Sequence, residues 1–130
     1  MSDESHGEVI ESLIIRTNGE RKQRGLAKLE VDNDLLAAAS IRAAEQPLQF
    51  SHTRPNGMPF HTIFSQMGVS GTKRGENLAR GKRWQTEQIF QAWMNSDGHR
   101  ANILNPDFSK IGIGYVEVNG IGYFCQLFTN

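Results

Sequence analysis

The spacing of apolar residues predicts four helices. In each of them apolar side chains recur every three to four residues, as on the buried stripe of an amphipathic helix. Asp32 and Thr86 are residue types that accept hydrogen bonds from the first turn of a helix, and Gly25 is a natural C-terminal stop. The predicted helices cover residues 8–24, 32–46 and 59–66, and a segment from residue 86 to a stop within 95–98.

The C-terminal segment has the pattern of a β-hairpin. Residues 110–118 and 121–128 flank Asn119-Gly120, a dipeptide that fits a two-residue hairpin turn. With this turn Gly114 faces Cys125, and both faces of the hairpin are largely apolar. A sheet that is apolar on both faces has to be covered on both. The pattern therefore predicts an α/β fold, namely a three-layer α-β-α sandwich with a central antiparallel sheet.

Composition narrows the class of protein. The chain has 130 residues, which suits a single domain over residues 1–130. Its 14 basic and 14 acidic residues cancel, so the overall charge does not call for a nucleic acid. No apolar stretch reaches the length of a transmembrane helix. The single Cys125 cannot form an internal disulfide, and the polar N-terminus fits an intracellular protein or one whose leader has been removed.

One stretch departs from this neutral balance, because five cations occur in it with a single acid. Two interpretations are open: a solvated loop, or a patch that binds an anionic surface polymer or lipid head group. The cations are Lys73, Arg74, Arg80, Lys82 and Arg83.

Two histidines and one glutamate are the candidates for chemistry. His52 and His99 lie at predicted loops, where functional groups concentrate. Glu76 lies in an apolar, glycine-flanked segment and should have a partner, because an unpaired buried charge is costly. Two imidazoles and a carboxylate suit a zinc site with an open position. The alternative is two ordinary loop histidines and a salt-bridged glutamate.

Other catalytic motifs are missing from the sequence. It contains no Gly-x-Ser-x-Gly nucleophile motif, no phosphate-binding loop and no dinucleotide-binding glycine pattern. Cys125 falls in the middle of a predicted strand and is expected to be a small packed residue.

Several motifs, in order along nearly the whole chain, resemble the CAP superfamily, also called the SCP/PR1-like domain, in its compact bacterial form. The resemblance begins at Asn18, Arg21 and Gly25-Leu26. The motifs that follow are Phe50-Ser51-His52, Arg54-Pro55-Asn56-Gly57, Gly75-Glu76-Asn77-Leu78-Ala79, Ala92-Trp93-Met94-Asn95-Ser96, Gly98-His99-Arg100-Ala101-Asn102-Ile103-Leu104 and Ile111-Gly112-Ile113-Gly114.

The resemblance implies an α-β-α sandwich with an open cleft that holds two histidines and two acids and often binds zinc or another divalent ion. His52, Glu76 and His99 match three of these four positions. The fourth, an acid in many eukaryotic members, is Ser96 here; the adjacent Asp97 is the substitute that we expect, with Glu87 as the second choice. The resemblance also implies an extracellular location.

Three functions are open, and the first is favoured. The first is a secreted binding module whose metal-competent cleft takes a lipid, sterol or other extended ligand. The second is a metal-dependent hydrolase or protease with Glu76 as general base and a metal-bound water as nucleophile. The third is a host- or cell-surface interaction protein without a small ligand. The expected apolar walls of the groove are Met58, Phe60, Phe64 and Met67.

Overall fold

The computed structural model describes residues 3–130, with side chains from His6 onward. Its helices are α1 (Asp3–Gln23), α2 (Asn33–Glu45), α3 (Thr62–Gln66), α4 (Thr86–Met94) and α5 (Asp97–Ile103). Its strands are β1 (Glu30–Val31), β2 (Arg74–Gly81), β3 (Lys110–Val118) and β4 (Ile121–Thr129), and a short 3-10 turn (Arg83–Gln85) leads into α4.

The strands form one sheet in the order β1-β3-β4-β2. The predicted hairpin is confirmed in its register, with Gly114 opposite Cys125. Asn119 and Gly120 form the turn with φ values of 52° and 79°, as a two-residue hairpin with positive φ at both positions requires. β2 pairs in antiparallel fashion with the other side of β4, so β2 lies at the edge of the sheet.

The antiparallel sheet carries a short parallel strand that the sequence pattern did not predict. β1 pairs in parallel with the start of β3, which makes the sheet mixed. Two residues are too few to show the alternation by which a strand is recognised. Asp32 follows this strand and caps α2, as predicted, because its side chain accepts a hydrogen bond from the Leu35 amide at 2.8 Å.

The helices cover both faces of the sheet, which confirms the three-layer sandwich. α2 and α3 pack on one face and α1, α4 and α5 on the other. The buried residues of the α2 side include Leu35, Ala39, Phe64, Leu78, Cys125 and Leu127. Those of the other side include Leu13, Phe90, Trp93, Ile113, Phe124 and Phe128.

Two glycines of β3 allow α2 to lie directly on the hairpin. A Cβ at Gly112 would lie 2.3 Å from the carbonyl carbon and oxygen of Leu35, and one at Gly114 would lie 2.2 Å from the Ala39 carbonyl oxygen. No other residue leaves room for so close an approach of two backbones. The close approach of α2 to the hairpin therefore depends on glycine at both positions.

Some helix boundaries differ from those predicted. α1 begins at Asp3 rather than at residue 8, and α3 begins at Thr62 rather than at 59. Thr86 does not cap α4 with its side chain, because its hydroxyl donates to the Arg83 carbonyl and the chain enters α4 through the 3-10 turn. The non-helical segment after α4 is also shorter than the predicted 95–98, since α5 begins at Asp97.

Side chains from α4 and α5 hold the edge strand β2. Trp93 is buried, and its indole Nε1 donates to the Leu78 carbonyl at 3.1 Å. Asn102 Nδ2 donates to the Glu76 carbonyl at 3.3 Å. These bonds satisfy carbonyls of an edge strand, which are otherwise free to pair with another chain. Within the described residues no helix has the length and apolar character needed to cross a bilayer.

Candidate functional site

An open cleft of about 340 Å³ lies at the β2 edge of the sheet, where the two helical layers meet. The structure brings His52, Glu76 and His99 together there, as the sequence predicted. His52 comes from the loop between α2 and α3, Glu76 from β2 and His99 from α5, so each belongs to a different part of the fold. Asn77, Ser96 and Asn102 also line the cleft.

Glu76 lies at the floor of the cleft and is bound on both carboxylate oxygens. Its side chain is fully buried against the Arg42 guanidinium, with Nε to Oε2 at 2.7 Å and Nη2 to Oε1 at 2.9 Å. This two-point geometry is the strongest that arginine makes with a carboxylate. Glu76 therefore has the partner that the sequence analysis required, and Arg42 supplies it from α2, 34 residues away.

The same carboxylate fixes the orientation of His52. Nδ1 of His52 lies 2.8 Å from Oε1 of Glu76. An ionised carboxylate only accepts hydrogen bonds, so Nδ1 carries the proton and donates it. The lone pair of the neutral ring is then on Nε2. The His52 side chain is 56% exposed, which leaves this nitrogen accessible from the cleft.

Arg42 is itself held by a chain of ion pairs that extends away from the cleft. Its Nη1 donates to Glu45 at 2.7 Å, and Arg54 donates to the other side of Glu45 at 2.8 Å. Burial alone would lower the pKa of Arg42, but Glu76 and Glu45 outweigh it and raise that pKa. Burial would likewise raise the pKa of Glu45, but Arg54 and Arg42 lower it. The loop that carries both Arg54 and His52 is thus tied to α2 and β2 by ion pairs at two points, Arg54 to Glu45 and His52 to Glu76.

His99 lies in the first turn of α5, and two contacts fix it. Its Nδ1 lies 2.8 Å from the Ser96 hydroxyl, and its backbone carbonyl accepts from Asn77 Nδ2 at 3.1 Å. Asn77 is buried and also bonds Gln126 and Asn102. Because Nδ1 is occupied, Nε2 is the ring nitrogen of His99 that remains for a ligand, as in His52.

The pKa of His99 is held below its ordinary value of 6.5, first by burial and then by the neighbouring His52. The unfolded chain therefore binds this proton more readily than the folded protein does. The stability that His99 contributes is complete above about pH 6.5 and is lost as the pH falls through the lower, folded pKa.

We predict that His52→Gln raises the pKa of His99 in the metal-free protein. His52 is the smaller cause of the lowered pKa and is removed by the substitution, whereas burial, the larger cause, stays, so the rise is partial. An NMR titration of the imidazole Cε1 proton measures it. A wild-type pKa of His99 at or above 6.5, or no change in the variant, would contradict this interpretation.

Asp97, the expected fourth residue of the cluster, points away from the cleft. Its side chain is 97% exposed and pairs with Arg100 at 2.7 Å. An acid in the first turn of a helix interacts favourably with the helix N-terminus, which gives Asp97 a local role in α5. Ser96, the residue at the aligned position, is the one that contacts His99.

The predicted apolar wall is only partly at the surface. Phe64 is fully buried in the core beneath α3 and cannot line an open groove. Phe60 and Met67 are half-buried, and Met58 is 49% exposed. The Phe60 ring lies 6.1 Å from the His52 ring, so this side chain borders the site.

The five cations of the basic stretch are spread over the whole length of β2 and the turn after it. Lys73 and Arg74 lie at one end of β2, and the other three lie at or beyond its opposite end, about 20 Å or more away at 3.3 Å per residue. Lys73 is paired with Asp107 at 2.7 Å. Arg74 and Arg80 lie over the rings of Phe64 and Phe50.

The three predicted residues differ in accessibility: both imidazoles line the cleft, whereas the Glu76 side chain is fully buried and bound on both oxygens. Glu76 is buried and doubly bound, so it orients His52 in the way that outer-sphere carboxylates orient metal-binding histidines. It cannot act as a general base on a cleft water while it is paired with Arg42. Among the residues with described side chains, no three His, Cys, Asp or Glu residues converge as a metal-ligand group.

Sequence reasoning missed the residues that hold the site together. Arg42 could have been found from its position, because it lies on the same face of α2 as the apolar residues Leu35 and Ala39. A cation on a buried apolar face needs a partner of opposite charge. Ser96 lies three residues before His99, the spacing of neighbours on a helix. Asn77 and Asn102 gave no comparable signal, since their contacts come from different elements.

The chain matches a known protein family over most of its length. The model of the cysteine-rich secretory protein family, CAP, matches residues 14–128. The uncharacterized protein YkwD of Bacillus subtilis (strain 168) is 44% identical in an alignment of length 110 that covers 81% of this chain and 41% of that protein. The chain thus spans less than half the length of this curated relative.

Solved structures have the same fold. An outer surface protein from Borrelia burgdorferi is 26% identical with a TM-score of 0.86, over 95% of this chain and 92% of that one. An extracellular protein containing a SCP domain from Bacillus anthracis str. Ames is 24% identical with a TM-score of 0.85, over 96% of this chain and 41% of that one. With the family match over most of its length and the α-β-α sandwich, this chain belongs to the cysteine-rich secretory protein (CAP) family.

Proposed function

We propose that the protein is an extracellular binding module whose cleft holds a divalent metal ion, zinc first, between His52 and His99. One observation carries this proposal: both imidazoles line the same cleft, and each has Nδ1 held by another side chain while Nε2 remains for a ligand. Neutral imidazole nitrogen is a favoured ligand of zinc.

Residues that would not contact the ion themselves hold the two histidines in position for it. Glu76 accepts the Nδ1 proton of His52, and Arg42 keeps Glu76 in place. Carboxylate partners of this kind fix the tautomer of a metal-binding histidine and strengthen it as a donor. The lowered pKa of His99 keeps that ring neutral near pH 7, the form that can bind a metal. With two protein ligands instead of three, the ion is bound weakly and solvent completes its coordination.

A bound ion in an open cleft supplies a Lewis acid for an oxygen-bearing group of a ligand. We propose that this ligand is extended, with a lipid or sterol as one class, because the cleft opens at the surface and Phe60 borders it. The extracellular location is proposed because related proteins are described as extracellular or outer surface proteins.

Calorimetric titration of zinc into the metal-stripped protein near pH 7 tests the site. We expect one-to-one binding in the micromolar range, weakened at least about tenfold by His52→Ala or His99→Ala and lost in the double variant. His61→Ala is the matched control, because His61 is exposed at the start of α3 and does not line the cleft.

Equal zinc binding by the wild-type protein and the double variant would overturn the proposal. So would a loss of binding in His61→Ala that equals the loss in His99→Ala, because this would indicate non-specific binding by exposed imidazoles.

A further inference from the structure

The two tryptophans of the chain have opposite environments. Trp93 is 2% exposed and anchors α4, whereas Trp84 is 74% exposed in the 3-10 turn before α4. Within the described residues the Trp84 indole takes part in no hydrogen bond, ring stack or cation–π contact. The turn itself is well held, because the Gln85 amide donates to the Lys82 carbonyl at 2.8 Å and the Gln85 side chain accepts from the Lys82 amide at 2.8 Å. The indole is thus presented to solvent on a fixed backbone.

A surface depression of about 560 Å³ runs from this indole along the outer face of α4. Three of its residues are side-chain amides, each of which can donate and accept hydrogen bonds. The lining consists of Trp84, Glu87, Gln88, Gln91, Ala92 and Asn95.

A second depression, of about 380 Å³, shares the same indole and lies between the 3-10 turn and α1. Ser12 and Thr86 bring hydroxyl groups to it. The indole is the one side chain common to both depressions. A ligand that lies across the ring therefore reaches polar groups in both depressions, which favours an extended ligand of several units.

The charges of these surfaces do not suit a polyanion. The depression along α4 is lined by one charged residue, Glu87, which lies 3.7 Å from Arg16 of α1. The other depression contains Glu8 as well as Arg83. With acids in both depressions, neither has the excess of cations that a phosphate or sulfate polymer needs.

We propose that Trp84 is the platform of a binding site for a neutral oligosaccharide. One face of a pyranose ring consists of C–H groups and packs on an indole, while its hydroxyls donate and accept hydrogen bonds. When one sugar unit of the oligosaccharide lies on Trp84, the adjacent units on either side lie in the two depressions. Gln88, Gln91 and Asn95 bond hydroxyls on one side, and Ser12 and Thr86 do so on the other.

Titration of the intact protein with cellohexaose and with chitohexaose tests this proposal. Tryptophan fluorescence and amide NMR shifts are the readouts, because Trp84 is exposed and Trp93 is not. We expect saturable binding of at least one hexasaccharide below about 10 mM, weakened about tenfold or more by Trp84→Ala. Gln91→Ala should weaken binding several-fold and leaves the indole in place.

Two controls make the result specific. Leu48→Ala removes another exposed apolar side chain, 78% exposed, and should leave binding unchanged. The His52→Ala/His99→Ala double variant should also bind the hexasaccharide normally. The sugar-binding proposal and the metal-site proposal are therefore tested independently of each other.

The proposal is overturned if neither hexasaccharide saturates below about 10 mM, or if Trp84→Ala binds as well as the wild type. It is also overturned if dextran sulfate binds instead and about 0.5 M salt abolishes that binding, because this outcome indicates a site for a polyanion.

Discussion

Replacing Arg42 with methionine lowers the free energy of unfolding by about 3–5 kcal/mol, because the substitution leaves the buried carboxylate of Glu76 without its counter-charge. Both side chains are fully buried, and the pair is joined by two hydrogen bonds of 2.7 and 2.9 Å. Methionine keeps most of the volume of the arginine side chain, so the loss of stability comes mainly from the unpaired charge of Glu76 and not from a cavity. Urea unfolding followed by circular dichroism measures it.

Two further variants test whether the buried Arg42–Glu76 pair contributes more to stability than an ion pair at the surface. The double variant Arg42→Met/Glu76→Gln should recover part of the loss, because it no longer buries a lone charge. Arg16→Ala is the matched control: Arg16 lies 3.7 Å from Glu87 in an exposed pair, and its loss should cost no more than about 0.5 kcal/mol. If Arg42→Met costs no more than Arg16→Ala, the pair does not stabilise the floor of the cleft.

Replacing Gly114 with alanine lowers the free energy of unfolding by about 3 kcal/mol or more, because the added methyl group has no space. The new Cβ would lie 2.2 Å from the carbonyl oxygen of Ala39 and 2.4 Å from its carbonyl carbon. These are backbone atoms of α2, so relief requires the whole helix to move away from the hairpin. Urea unfolding of the variant measures the cost.

Gly19→Ala is a control that predicts the opposite sign. Gly19 lies inside α1, and a Cβ there meets no atom within 4 Å. Alanine should therefore stabilise the helix by up to about 1 kcal/mol through its better helix propensity. A cost at Gly114 as small as the effect at Gly19 would mean that α2 is not in tight contact with β3.

The parts of the fold that were predicted correctly depend on signals within a few residues of each other. Asn119-Gly120 supplies the positive φ values of the hairpin turn, and this turn fixes the register of every pair in β3 and β4. The Asp32 side chain caps α2 three residues further along the chain. A turn or a cap is decided by its own backbone angles and short-range hydrogen bonds, so it can be predicted without the tertiary structure.

Three members of the candidate site were predicted, but the buried role of Glu76 and the exposed position of Asp97 were not. His52, Glu76 and His99 do meet in one cleft, but Glu76 faces Arg42 beneath His52 and Asp97 turns to solvent. A residue type shows what a side chain can bind and not which of several partners will be within hydrogen-bond distance of it. That choice depended on how α2 packs against the sheet.

The sequence by itself determined the hairpin with its register, the approximate positions of four helices, and the family to which the chain belongs. Only the tertiary structure decided that β1 pairs in parallel, that the basic residues separate to opposite ends of β2, and that Trp84 stands in solvent beside α4. The physical reason is the range of the interactions. Backbone angles and hydrophobic periodicity are properties of neighbours in the chain, whereas burial, charge pairing and exposure are set by residues that folding brings together from distant positions.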